Sequence, residues 1–179
     1  MGSRINGKDI LVLLQLAKAP LGAEGLLLGS QTESNHSIEA ELSEETTVFG
    51  AAIGAGTPTE TMEFVCYGER KDPGQMAAIQ AIKKGEQLKV WFVDRVPNEN
   101  GKHDADFGYT YVESVEKDNP NDSFQEISIT TKVINTSKSG ELDAMPAQLQ
   151  AAMDYLFEKP GAKTGEFGTQ PVTEPVVGG

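Results

Sequence analysis

Apolar and polar residues alternate along much of this 179-residue chain with a period of two, which predicts strands. Residues 9–16 form an apolar run rich in Leu and Val that reads as a buried strand, although periodicity alone leaves a short helix open. Residues 37–42 are clearer: Ile38, Ala40 and Leu42 alternate with Ser37, Glu39 and Glu41, so one face can pack on a core while the other carries carboxylates into solvent or a channel. Residues 61–67 repeat the pattern with Met62, Phe64 and Cys66 on one face, which makes Cys66 a small buried apolar residue rather than a nucleophile. Between these two strands, residues 43–59 are rich in Gly, Ala and Thr and predict a long functional loop or arm.

The period changes to that of a helix at residues 72–84. Asp72 is the predicted N-cap, Pro73 suits the first helical position, and Gln75 is the third residue of a capping box. Met76, Ile79 and Ile82 recur on the predicted buried side, Lys83 and Lys84 complement the C-terminal dipole, and Gly85 can take the left-handed cap. Residues 87–96 then read as a strand covered on both faces, and Asn100-Gly101 predicts a type I′ turn into a long strand at 107–116. A turn at 117–123 leads to a strand at 124–135, with Ile127, Ile129 and Val133 inward. Residues 146–158 predict a short helix carrying Leu149, Ala152, Met153 and Leu156. These elements imply one mainly β domain over residues 1–159 with a flanking helix, and a flexible Pro- and Gly-rich tail over 160–179.

Charge narrows the function. Fifteen basic against 27 acidic residues give a net charge of −12, and there is no basic residue between Lys18 and Arg70, a stretch that holds Glu24, Glu33, Glu39, Glu41, Glu44, Glu45, Glu60 and Glu63. Such a surface opposes gripping of a phosphate backbone, which needs clustered Lys and Arg. No apolar run approaches the length of a spanning helix, and neither a signal peptide nor another membrane anchor is expected. The single Cys66 excludes an internal disulfide and a cysteine-only metal site. A nucleophile elbow and a phosphate-binding Gly-rich loop are both missing. His103, Asp104 and Asp106 form the one constellation with ligand or acid-base character, but neighbours on a strand point to opposite faces and cannot converge on one ion without a bulge. No catalytic, cofactor-binding or metal-binding residue is therefore assigned. From composition and strand pattern alone, an acidic sandwich module binding a peptide or sugar remains open.

The order of motifs is more specific. YGERKDPGQ at 67–75, VWFVDRV at 90–96, NENGKHDADFGYTYVES at 98–114, EISITTKVI at 126–134 and SGELDAMPAQL at 139–149 resemble, in this order, the major tail proteins of long non-contractile-tailed bacteriophages of Gram-positive bacteria. Weaker likeness lies at NGKDI (6–10) and QTES (31–34), while residues 17–30 and those after Met153 match no pattern. The resemblance implies a sandwich or barrel-like tail-tube subunit with a four-stranded inner sheet. It implies that six copies close a ring and that rings stack into the hollow tube of the virion tail. It also implies synthesis in the host cytoplasm, tape-measure, tail terminator and distal tail proteins as partners, and DNA passing down the bore without specific binding. Strand alternation, independently of the family, makes Glu39, Glu41 and Glu63 candidates for the bore lining. The 43–59 segment and the tail are then candidate arms that order against a neighbouring copy.

Overall fold

The computed structural model describes residues 4–143 and 159–161. The predicted helix at 146–158 and the predicted tail beyond residue 161 lie outside the described residues. After a short 3₁₀ turn, Gly7–Asp9, the elements are β1 (Ile10–Leu16), β2 (Leu26–Leu27), β3 (Gln31–Thr47), β4 (Gly50–Tyr67), α1 (Pro73–Lys84), β5 (Gln87–Asp94), β6 (His103–Asp118), β7 (Glu126–Val133) and β8 (Lys138–Leu142). All ladders are antiparallel. The strand order is β2-β1-β5-β6-β7-β4-β3, with β8 on the early part of β6.

The sheet curls until strands from its two ends meet. Gln31, at the root of β3, accepts from the Val12 amide at 2.9 Å and donates to the Ile10 carbonyl at 3.0 Å. The core lies inside this curl, where Val12, Leu14, Met62, Phe64, Leu88, Val90, Phe92, Ile127 and Ile129 project from alternate positions of β1, β4, β5 and β7. Each of the larger side chains contributes about 1.5–3 kcal/mol by leaving water. Thr110 and Thr131 are also buried, and each hydroxyl donates to a carbonyl of the adjacent strand, Leu88 and Met62 respectively.

Helix α1 covers this core, but not with the side predicted. Met76 is 58% exposed, and the buried positions are Gly74, Gln75, Ala77, Ala78 and Ala81. Small residues win because the helix lies close to the backbone that joins β2 to β3: a Cβ at Gly74 would sit 2.7 Å from the Leu27 carbonyl oxygen. The large apolar residues are displaced to the flank.

Two further expectations are corrected. Residues 43–59 are not a loop: β3 and β4 continue as a paired hairpin to Thr47↔Gly50, turning at Val48 and Phe49 with Gly50 at φ +122°. Gly and Ala density mimics loop composition, but cross-strand pairing with Thr- and Glu-rich β3 holds the segment extended. The β5–β6 connection is not a type I′ turn, because Gly101 takes a positive φ while Asn100 does not. The Asn98 side chain organises it instead, with Oδ1 accepting from the Asn100 and Lys102 amides. The following strand consequently starts earlier, at His103.

Gly74→Val is expected to lower unfolding free energy by about 2 kcal/mol through overpacking, read from urea denaturation; a variant as stable as the parent would show that the helix has room to move.

Candidate assembly and conduit surface

The long β3–β4 hairpin presents two faces of opposite chemistry. On the face turned from the core, cross-strand rows are polar: Asn35–Glu63–Thr130–Ser114, Ser37–Thr61–Lys132–Tyr111 and Glu39–Thr59. Glu33, Glu116, Glu126 and Asp118 share this face, so six carboxylates stand there with Lys132 as the cation. Glu126 and Asp118 are directly opposed across β6 and β7, a like-charge pair that costs stability. Of the predicted candidates, Glu39 and Glu63 thus share one face, and Glu63 accepts from Asn35 Nδ2 at 3.3 Å. Glu41 is exposed and lies opposite a bulge in β4, where the register steps from Ala40↔Pro58 to Leu42↔Ala55 and leaves Glu41 without a paired residue.

The opposite face begins in the core and runs off its edge. Phe64 and Met62 are fully buried, but farther out Ile38 and Leu42 are 62% and 67% exposed, and Ile53, opposite Glu44, is 69% exposed. Ile38, Ala40 and Leu42 therefore do not pack on the protomer's core as the alternation predicted. Among the described residues nothing lies beneath them, because the strands are longer than the described body they cross. The turn residues Val48 and Phe49 are also exposed.

Where the covered part of the stripe ends, a polar cluster interrupts it. Glu60 is 4% exposed, with one carboxylate oxygen 2.9 Å from His36 Nε2 and the other accepting from the Ser137 amide at 3.1 Å. The His36 ring meets Phe92 edge-on, and its Nδ1 lies 3.9 Å from Asp106, which accepts from Ser139 Oγ at 2.6 Å. Burial pushes the Glu60 carboxyl upward, but the hydrogen bonds from Ser137 and His36 outweigh it and hold it below its ordinary 4.5. Glu60 and His36 received no role from sequence. Their signal was a Glu interrupting the apolar alternation of β4, opposite a strand holding one of the chain's two histidines.

At the helix start, Asp72 Oδ1 accepts from the Gln75 amide at 2.8 Å, and Oδ2 from the Gly29 amide at 3.2 Å. Gln75 does not return a bond to the cap residue. Its buried amide group instead accepts from Glu69 N at 3.0 Å and donates to the Tyr67 carbonyl at 2.8 Å, tying the end of β4 to α1. Burial raises the Asp72 carboxyl despite these bonds. Burial also pushes the Cys66 thiol up to about 11, with the carboxylates of Asp72 and Glu69 adding to it, so the thiol stays protonated.

His103, Asp104 and Asp106 do not converge. His103 Nδ1 lies 3.0 Å from the Asp94 carbonyl, Asp104 accepts from Asn98 at 2.9 Å, and Asp106 is engaged by Ser139. Among the described residues there is no group of His, Cys, Asp and Glu able to hold a metal ion.

Residues 4–135 match the family model described as phage tail tube protein. The chain is 40% identical over 171 residues to the tail tube protein gp17.1* of Bacillus phage SPP1, an alignment covering 94% of this chain and 65% of that protein. It thus spans just under two thirds of that relative's length. A tail protein of Staphylococcus phage phiMR11 is 29% identical over 143 residues, 77% of this chain and 76% of its own. Among solved structures, the SPP1 tail tube superposes with a TM-score of 0.75 at 31% identity, covering 95% of this chain and 100% of that one. The tail of an empty gene transfer agent particle, refined with C6 symmetry, shares the fold at a TM-score of 0.61 and 16% identity, over 75% of this chain and 98% of its own. With a curled antiparallel sheet, a covering helix and a projecting hairpin among its described residues, this chain belongs to the phage tail tube protein family.

Proposed function

We propose that the chain is the building unit of a siphophage tail tube, in which six copies close a ring and rings stack into a hollow conduit for DNA. The observation that carries this reading is the apolar stripe of Ile38, Leu42 and Ile53, which continues from the core onto a hairpin that the described residues of its own protomer leave uncovered. A second copy of the chain supplies the missing cover.

The sheet edges support the same reading. β3 is an end strand of the described sheet, and β6 beyond Tyr111 is paired with β7 on one side, the β5 ladder having ended. One protomer's β3 can add to the free side of a neighbour's β6, a head-to-tail contact that closes a ring when the rotation fits. The four strands β3, β4, β7 and β6 of each copy then form a continuous inner barrel, with six copies as in the C6 tail of the same fold. Covering Ile38, Leu42 and Ile53 at their observed exposure contributes about 3–6 kcal/mol per arm. Association costs about 4–15 kcal/mol. One arm is too weak alone, so tubes form only where arm docking, edge pairing and ring closure act together.

The carboxylate face of the inner barrel lines the bore, with Glu39 and Glu63 on its wall and Glu41 at the arm's bulge. DNA is repelled within about 8 Å of such a wall at physiological salt and cannot make the cationic contacts that would hold it. The bore first houses a tape-measure protein, terminator and distal tail proteins close its ends, and subunits made in the host cytoplasm reach their working state in the virion.

Leu42→Glu with Ile53→Glu is expected to leave the melting temperature nearly unchanged, since both sites are exposed, and to abolish tubes in electron micrographs of concentrated protein; tubes like the parent's would refute the docking role. Glu39→Lys with Glu63→Lys is expected to preserve tubes and slow DNA ejection from assembled particles, whereas unchanged ejection kinetics would remove both residues from the wall.

A further inference from the structure

The polar cluster at Glu60 is placed where the hairpin changes character. In β4 every residue from Gly50 to Thr59 is exposed, Glu60 is buried, and the core begins at Met62. An apolar residue at 60 would simply lengthen the core stripe. Instead a carboxylate there bonds a neighbouring strand through His36 and the β7–β8 connection through Ser137. Directional bonds fix an angle, which apolar contact does poorly.

We infer that Glu60 and His36 form a polar clamp that sets the direction in which the 38–58 hairpin leaves the sheet, and thereby positions its apolar stripe against a second copy. This rests on the proposal that the stripe docks. Leverage explains why direction matters. From Glu60 to Gly50 the strand spans about 33 Å, so a tilt of about 10° at the clamp moves the tip by about 6 Å, more than the roughly 4 Å of an apolar contact. The bulge opposite Glu41, just beyond the clamp, bends the hairpin and increases its local twist. The clamp fixes the strands from which this bent hairpin springs, and with them its direction.

The groups facing the pair come from every neighbouring element: Asp106 on β6, Phe92 on β5, Ser137 before β8, and Ser34 and Met62 along β3 and β4. Beyond Asp106, a groove of about 650 Å³ carries Asp94, Asp104 and Glu141, with no Lys or Arg among its lining residues. Because the folded state holds the Glu60 carboxyl below 4.5, the ionised clamp stabilises the fold above that pH and loses this contribution as pH falls below it.

The test compares wild type with Glu60→Met, Glu60→Gln and His36→Phe by critical concentration for tubes, with circular dichroism as the fold control. Tube formation by the wild type tests the underlying proposal by itself; the variants test the clamp once tubes are seen. Glu60→Met keeps length and burial but breaks both bonds, and is expected to raise the critical concentration about tenfold or more with the protomer folded. Gln can accept from Ser137 and donate to the other tautomer of His36, so Glu60→Gln is expected to restore assembly to within about threefold of wild type. Should Glu60→Met fail to fold, His36→Phe, which retains the Ser137 bond and ring packing, is expected to show the same rise. Wild type is expected to melt above Glu60→Gln at neutral pH, with the gap closing below pH 4.5. Wild-type critical concentration in the folded Met or Phe variant, or failure of Gln to rescue, would overturn the clamp, and a melting gap that persists in acid would overturn its ionised form.

Discussion

The structure depends on one apolar stripe that is longer than the body beneath it. Phe64 and Met62 anchor β4 in the core, where α1 and β1 close over them, and the same face continues through Ile38, Leu42 and Ile53 with no cover among the described residues. Leaving such surface in water is unfavourable by about 25 cal/mol for each Å². In the proposed tube a neighbouring copy relieves that penalty, so the geometry that completes the protomer would also direct its polymerisation. The long strands, the exposed tip and the bulge are then parts of one arrangement.

The two faces of β3 and β4 divide the work. Because side chains alternate, each residue added to the stripe also adds one to the opposite face, and there the sequence places Asn35, Ser37, Glu39, Thr61 and Glu63. Six carboxylates against Lys132 create a field of one sign that Glu126 and Asp118 strengthen at the expense of their own pairing. Strain of this kind is tolerated where function gains from it. In the proposed tube, subunit attachment and DNA repulsion would therefore coexist on the same strands, separated by the thickness of the sheet.

Sequence reasoning read much of this correctly where local chemistry decides. The alternation of Met62, Phe64 and Cys66 marked a buried face, the Asp72-Pro73 start and Gly85 stop bounded the helix, and ordered motifs carried the family and its mainly β fold. It failed where tertiary contact overrides local pattern. Met76 is exposed because close helix–strand approach favours Gly74 and Ala78, and Gly- and Ala-rich residues 50–56 form a strand because β3 pairs with them. Ile38 and Leu42 showed the right periodicity, but periodicity cannot say whether the layer beneath belongs to the same copy. The His36–Glu60 cluster joins residues 24 positions apart to Ser137, a convergence visible only in three dimensions.

Hydroxyl-radical footprinting of Ile38, Leu42 and Ile53, in dilute protomer and in concentrated protein that has formed tubes, tests the central claim most directly. The account predicts that all three react readily in the protomer and become strongly protected in the tube, while exposed residues outside the docking surface such as Met76 stay reactive. Equal reactivity of the three residues in protomer and tube would contradict it.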